Sequence, residues 1–249
     1  MSLRIKAFTF VALSALTLVC ANEPAHKQAP AASAPKAKAA TPPAGTAAPA
    51  AHSQEPEKVA ADEALKRLIA GNQRYVNSTM AHPNQTGERR GDVAQSQKPF
   101  AIIVSCSDSR VPPEVLFDQG VGDLFVIRSA GQVVTEVGIG SIEYAVEHLG
   151  SPLIMVLGHE RCGAVKATAD GGEAPGSIGS ICGLIKPAVD KAKAQGGGDL
   201  VDQAVRNNVA NVADKIAASP LIRKALASGE VKIVRGYYDL DDGQVKPLP

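Results

Sequence analysis

From residue 57 onward the apolar positions follow two periods. Leu65, Leu68, Ile69 and Val76 recur at helical spacing with Lys66, Arg67 and Arg74 between them, which predicts an amphipathic helix over 57–76. Three apolar runs of strand length follow. They are 100–104, which follows Pro99 and holds Ile102, Ile103 and Val104; 124–127; and 153–157, which follows Pro152 and ends at Gly158. Helical patterns cover 139–149, 181–194 with a kink expected at Pro187, and 200–217. A last strand is expected over 231–237, and Asp242 with Gly243 reads as a tight turn into the tail. Strands alternating with helices predict an α/β fold: a mostly parallel central sheet flanked by helices, with ligands bound beyond the carboxyl ends of the strands.

Ahead of residue 57 no such period exists. Arg4 and Lys6 precede an apolar run over 7–19 and then small residues, the layout of an export signal. That run is short of the about 18 apolar residues a spanning helix needs, and no later stretch approaches that length, so no transmembrane segment is expected in the mature chain. Cleavage after Ala21 gives a leader over 1–21; cleavage before Cys20 with lipid on that cysteine is the lipoprotein alternative. Residues 22–56 are dominated by Ala and Pro and read as a disordered tether. His26 and His52 fall there, where nothing pre-positions them as ligands. The expected organisation is a leader over 1–21, a linker over 22–56 and one catalytic domain over 57–249, exported to the periplasm.

Composition narrows the class. Of 249 residues 45% are hydrophobic and the net charge is +1, which suits a globular core and, without a basic excess, excludes nucleic acid as a partner. Two segments sit where an α/β sheet places its ligands: Cys106, Ser107, Asp108, Ser109 and Arg110 after one strand, and His159, Glu160, Arg161, Cys162 and Gly163 after another. Two thiolates and an imidazole make a three-ligand zinc set whose fourth position is left to water, the mark of a catalytic site. A helix start at Cys162 would favour its thiolate. Other readings of the same residues are buried thiols with a satisfied loop histidine, or a disulfide, to which Cys182 offers another partner in an oxidising compartment. If Cys106 and Cys162 hold zinc and Cys20 is removed or lipidated, Cys182 remains as a free helical thiol. Asp108 and Arg110 alone would be a surface ion pair worth about 0–1 kcal/mol. His148 fits no motif and reads as solvent-facing. Gly138 and Gly140 open a helix but lack the rest of a dinucleotide fingerprint.

The two segments resemble the paired signatures of the β-carbonic anhydrases. The likeness extends to Gln97 and Pro99 before the first strand, to Val111-Pro112, to the run over 122–128, to Ile142 through Val146, and to the ending at Val231–Val234 and Tyr238 through Leu240. It covers about 57–248. The resemblance implies zinc on Cys106, His159 and Cys162, with Asp108 and Arg110 as a dyad. In it, zinc-bound hydroxide attacks carbon dioxide to give bicarbonate and Asp108 takes the proton; were Arg110 to let go, Asp108 would become a fourth ligand and close the site. It assigns Gln97 and the Gly163 N–H as donors to substrate oxygens, and Phe125 and Tyr144 as apolar cleft wall, which plain core packing would explain equally. It also implies a homodimer or a dimer of dimers, with the first helix packed across the partner. The chain has no tryptophan, so the inhibitory bicarbonate pocket some relatives build on one is not expected, and Ser129, Ala130 and Gly131 replace a bulkier stretch.

Two other functions fit the same residues: hydrolysis of carbon disulfide or carbonyl sulfide at the same zinc, and a non-catalytic zinc-binding domain, against which the intact Asp108, Arg110 and Gln97 argue. Two thiolates cancel the charge of the ion, so hydration should favour alkaline conditions. A rate profile measured across pH should rise through and above neutrality; a maximum already reached below neutrality would contradict the expectation.

Overall fold

The computed structural model describes residues 59–249. The leader over 1–21, Cys20, the tether over 22–56 with His26 and His52, and the expected start of order at Glu57 lie outside the described residues. In chain order the elements are α1 (Ala61–Val76), α2 (Gly87–Asp92), β1 (Ala101–Cys106), α3 (Pro113–Leu116), β2 (Leu124–Ser129), a single 3-10 turn (Ala130–Gln132), α4 (Glu136–Glu147), β3 (Leu153–His159), α5 (Gly163–Asp170), α6 (Ile178–Gln195), α7 (Leu200–Ala217), α8 (Pro220–Ala227), β4 (Lys232–Tyr238) and β5 (Val245–Leu248). No described helix is long and apolar enough to cross a membrane.

The sheet runs in the order β2-β1-β3-β4-β5, with the first four strands parallel and β5 antiparallel to β4. Its central strands β1 and β3 are buried at every position and apolar at most of them because helices cover both faces. Ala101, Ile103 and Met155 pack with Leu68 of α1, Leu116 and Phe117, and Val165 and Ile185 of α5 and α6. Ile102, Val104, Ile154 and Val156 pack with Ile142 of α4, Val209 and Ile216 of α7, and Ile222 of α8. These side chains are buried to within 1%. Each represents about 1.5–3 kcal/mol of transfer free energy relative to exposure.

The strands expected from apolar runs are present but displaced toward their carboxyl ends: β1 continues through Ser105 to Cys106, and β4 to Tyr238. The third does not stop at Gly158. Parallel pairing with β4 carries β3 through Gly158 to His159, opposite Tyr237 and Tyr238. Gly158 is there because α7 crosses so closely that a Cβ would lie 2.5 Å from Val209 Cγ2. Helix α6 continues unbroken past Pro187. The 200–217 helix appears with the expected bounds, capped by the Asp199 carboxylate on the amides of Val201 and Asp202.

Elements without a periodic signal are held by buried polar side chains. Asn72 of α1 donates to the carbonyls of Leu116 and Gly243 and accepts from Val245 N, tying α1 to α3 and to the β4-β5 hairpin. Asp118, fully buried at φ +45°, accepts from the amides of Ala81 and His82 and pairs with Arg74. Burial alone would raise that carboxyl, yet the two amides and Arg74 hold it below the usual range.

Gly71 marks where α1 meets this layer, since a Cβ there would sit 1.8 Å from the Phe117 carbonyl oxygen. Helix propensity alone favours Ala over Gly by about 1 kcal/mol. The Gly71→Ala protein should nevertheless lose about 1–3 kcal/mol in urea unfolding, because backbone rather than a flexible side chain must move. A gain in stability would show that α1 does not dock as described.

Candidate metal centre

The register of the sheet assembles the site. Ser105 pairs with Leu157, so Cys106 and His159, each the last residue of its strand, emerge at one edge. The chain then turns at Arg161, φ +50°, and Cys162 becomes the N-cap residue of α5. One ligand atom each from Cys106, His159 and Cys162 lies within 4.8 Å of the others, and all three residues are buried. The described cysteines are free thiols, so the disulfide reading is not realised, and Cys182 lies partly buried in α6.

The donor set fits a zinc ion. His159 Nδ1 lies 2.9 Å from the Glu160 carbonyl oxygen, which can only accept, so Nδ1 carries the proton and Nε2 presents its lone pair. That buried Nε2 has no hydrogen-bond partner among the described residues. An apolar or hydrogen-bonded role for the ring would not leave it so; a Lewis acid between the two sulfurs would use it. As thiols alone the two cysteines share a proton. The neighbouring Cys162 thiol, against burial, brings Cys106 down to about 4, with His159 and the amides of Asp108 and Gly131 adding to the effect. The proximity of Cys106, then burial and the Cys106 charge, push Cys162 far above the ordinary thiol range, against the α5 amides of Ala164 and Val165. A dication supplies the positive charge that lets the second thiol ionise as well.

Beside the cluster Arg110 grips Asp108 in a fork: Nε to Oδ1 at 2.9 Å and Nη2 to Oδ2 at 2.7 Å, with the Arg110 amide also on Oδ1. The guanidinium holds the Asp108 carboxyl well below the usual range in spite of partial burial. Asp108 Oδ2 stands 3.9 Å from His159 Nε2, too far for a hydrogen bond. Gly163 opens α5 beside Cys162, with nothing within 4 Å of where a Cβ would be. The remaining three expected residues lie elsewhere. Gln97 is exposed ahead of β1, in a groove with Val93, Ser96 and Val121. Since β1 spans about 20 Å, that is the opposite end of the strand from Cys106. Phe125, near the start of β2, packs against the second cluster and pairs at 6.5 Å between ring centroids with the exposed Tyr144 of α4, whereas both cysteines belong to the first.

The carbonic anhydrase family profile matches residues 101–245. A carbonic anhydrase of Mycolicibacterium smegmatis is 43% identical over 187 residues, 74% of this chain and 91% of that one. Among solved structures, a Coccomyxa β-carbonic anhydrase in complex with acetazolamide aligns with TM-score 0.60 and 29% identity, covering 74% of this chain and 86% of that one. One of two tetrameric β-carbonic anhydrases from Sordaria macrospora aligns with TM-score 0.60 and 25% identity, over 74% of this chain and 96% of that one.

The chain belongs to the β-class carbonic anhydrases. In this carbonic anhydrase the sequence motifs name the donors but not their supports. Arg128, one residue before the end of β2, donates to the carbonyls of Cys106 (2.8 Å) and Asp108 (2.6 Å), clamping the end of β1 to the loop that follows. Its place in the 122–128 run gives no sign of that, because the run reads as a strand and the acceptors are backbone. Gly131 N donates to Cys106 Sγ at 3.2 Å, and Asp108 N lies 3.4 Å from the same sulfur. No sequence period predicts an amide-to-sulfur contact between a loop and a strand end.

Proposed function

We propose that this carbonic anhydrase catalyses the reversible hydration of carbon dioxide to bicarbonate and a proton at zinc held by Cys106, His159 and Cys162. The observation that carries the reading is the donor set, two buried thiols and an imidazole nitrogen without a partner, in a chain of this family. Zinc bound there supplies a Lewis acid that lowers the pKa of water from about 15.7 toward roughly 7–9. The rest falls to the chain. The Glu160 carbonyl fixes the tautomer and orientation of the His159 ring. Arg110 keeps Asp108 beside the donors and off them. The ionised, partly open carboxylate accepts the proton released in hydration and, being a weak base, passes it to solvent. The N–H of Gly163, at the positive end of α5 and open above, donates to the oxygen on which negative charge develops.

Gln97, Phe125 and Tyr144 are separated from their own donor cluster by the length of β1 or by the sheet. Their role as substrate contacts therefore requires a second copy of the chain to bring them to a cluster not their own. Tyr144 is 48% and Val137 82% exposed, as a surface that meets another copy would be. The tetrameric Sordaria enzymes support the same reading, a homodimer or dimer of dimers. Arg4, Lys6 and the apolar run over 7–19 support export of this enzyme to the periplasm, with the tether over 22–56 between leader and catalytic domain.

Stopped-flow hydration of carbon dioxide with zinc quantified tests the reading. The wild-type protein should hold one zinc per chain, and Cys106→Ser should lose both metal and turnover. Asp108→Asn should keep the metal and fall about 10²–10⁴-fold in rate. Full turnover by metal-free protein, or faster turnover of carbon disulfide than of carbon dioxide, would defeat the proposal. Subunit mixing tests the shared site: Cys106→Ser and Gln97→Ala chains, each impaired alone, should together recover part of the wild-type rate. No recovery after demonstrated subunit exchange would confine each site to one chain.

A further inference from the structure

Asn208 stands in the buried stripe of α7 with Val205, Val209 and Val212, where an apolar side chain is the ordinary occupant. It is 1% exposed, and its Oδ1 has no hydrogen-bond partner among the described residues. Burying an amide half satisfied is unfavourable, and a branched apolar side chain of similar size would avoid it. What the amide contributes is one bond: Nδ2 donates to the Gly131 carbonyl at 2.8 Å, across 77 positions of sequence.

Gly131 is an unusual point to hold. It adopts φ +69°, ψ +22°, and the next residue, Gln132, is also left-handed at φ +46°. A Cβ at Gly131 would lie 2.6 Å from Ile185 Cδ1, at a positive φ that L side chains rarely adopt, so glycine is favoured there. Glycine is also the residue freest to rotate. Two contacts restrain it: Asn208 holds the peptide on its carboxyl side, and the N–H on its amino side points at Cys106 Sγ, 3.2 Å away.

We infer that Asn208 is a positioning residue for the metal centre: by holding the Gly131 peptide it aims an N–H at the Cys106 sulfur and so sets that ligand's donor strength. This rests on the reading of Cys106 as a zinc ligand. An N–H···S bond withdraws electron density from the thiolate, so less charge passes to the metal and its Lewis acidity is preserved. Without Asn208 the glycine turns more freely, the N–H leaves the sulfur for part of the time, and the thiolate becomes both more electron-rich and less well oriented. Asn207, the neighbouring buried amide, bonds the Ala188 carbonyl and the Gln195 side chain and has no link to the Cys106 loop. It is the matched control.

Zinc affinity by chelator competition and the thiolate-to-cobalt charge-transfer band of the cobalt(II) protein are to be compared for wild type, Asn208→Ala and Asn207→Ala. Asn208→Ala should bind zinc about 10–100-fold more weakly and move the band to lower energy. Asn207→Ala, whatever its loss of thermal stability, should leave both at wild-type values. Equal behaviour of the two variants overturns the inference. A measurement on the wild type does not depend on either variant folding: with an NMR-active cadmium isotope bound, the Gly131 amide proton should show scalar coupling to the metal through sulfur. Absence of that coupling in a metal-loaded protein also overturns it. Failure of the wild type to take up metal through its thiols would instead remove the reading of the site itself, which separates the two.

Discussion

Two neighbouring parallel strands that end within one residue of each other are the constraint on which this protein depends. β1 and β3 are locked side by side by four registered pairs, and each delivers its last residue, Cys106 or His159, to the same edge. A slip of one residue would turn one donor to the opposite face of the sheet. The register is therefore fixed where burial is greatest, in strands whose every side chain is packed, and its stability comes from apolar area rather than from the donors. Cys162 comes from the same connection, a left-handed turn at Arg161 leading into α5, so the third donor needs no separate anchoring.

What surrounds the donors is polar in a directed way. The Glu160 carbonyl occupies His159 Nδ1, Arg128 occupies the carbonyls of Cys106 and Asp108, and Arg110 occupies both oxygens of Asp108. Each bond removes a competing use for a group, leaving Nε2 and the two sulfurs as the atoms still able to bind a cation. The carboxylates of Glu160, Asp239 and Asp241 show the contrast. They also gather closely, yet Arg161, Lys246 and the amides of Leu240, Asp241 and Asp242 already engage them. Proximity of ligand-type atoms is common; buried atoms without another partner are the informative case.

The residues expected to contact substrate stand apart from the donor cluster in the fold. The carboxyl ends of the strands carry the Cys106, His159 and Cys162 cluster and the paired Asp108 and Arg110, while Gln97, Phe125 and the α4 surface around Tyr144 lie toward the other end or the other face. A parallel sheet with ends of such different chemistry is suited to association of copies that place unlike ends together, and exposed Val137 and Tyr144 provide apolar area for it.

The sequence by itself determined the elements with strong periods and the identity of the donors. Parallel strands covered by helices carry apolar runs, so β1, β2 and β3 were legible, as were α1, α6 and α7, whose apolar faces repeat every three or four residues. Cys106, Asp108, Arg110, His159 and Cys162 were legible because few residue types ligate zinc or pair in a fork, and both segments follow strands. Strand ends were misplaced at Cys106, His159 and Tyr238, since pairing with a neighbour rather than apolar character decides where a strand stops. Short α2 and α3 were missed because their turns are held by Asp123 or Asn72 rather than by an apolar stripe, and α8 because eight residues repeat its apolar face only twice. Only the tertiary structure decided that Gln97, Phe125 and Tyr144 stand apart from their own cluster, and that Arg128, Gly131 and Asn208 support it. Those facts are distances between backbone groups and side chains up to 77 positions apart, and a linear pattern of hydrophobic and polar residues carries no such distances.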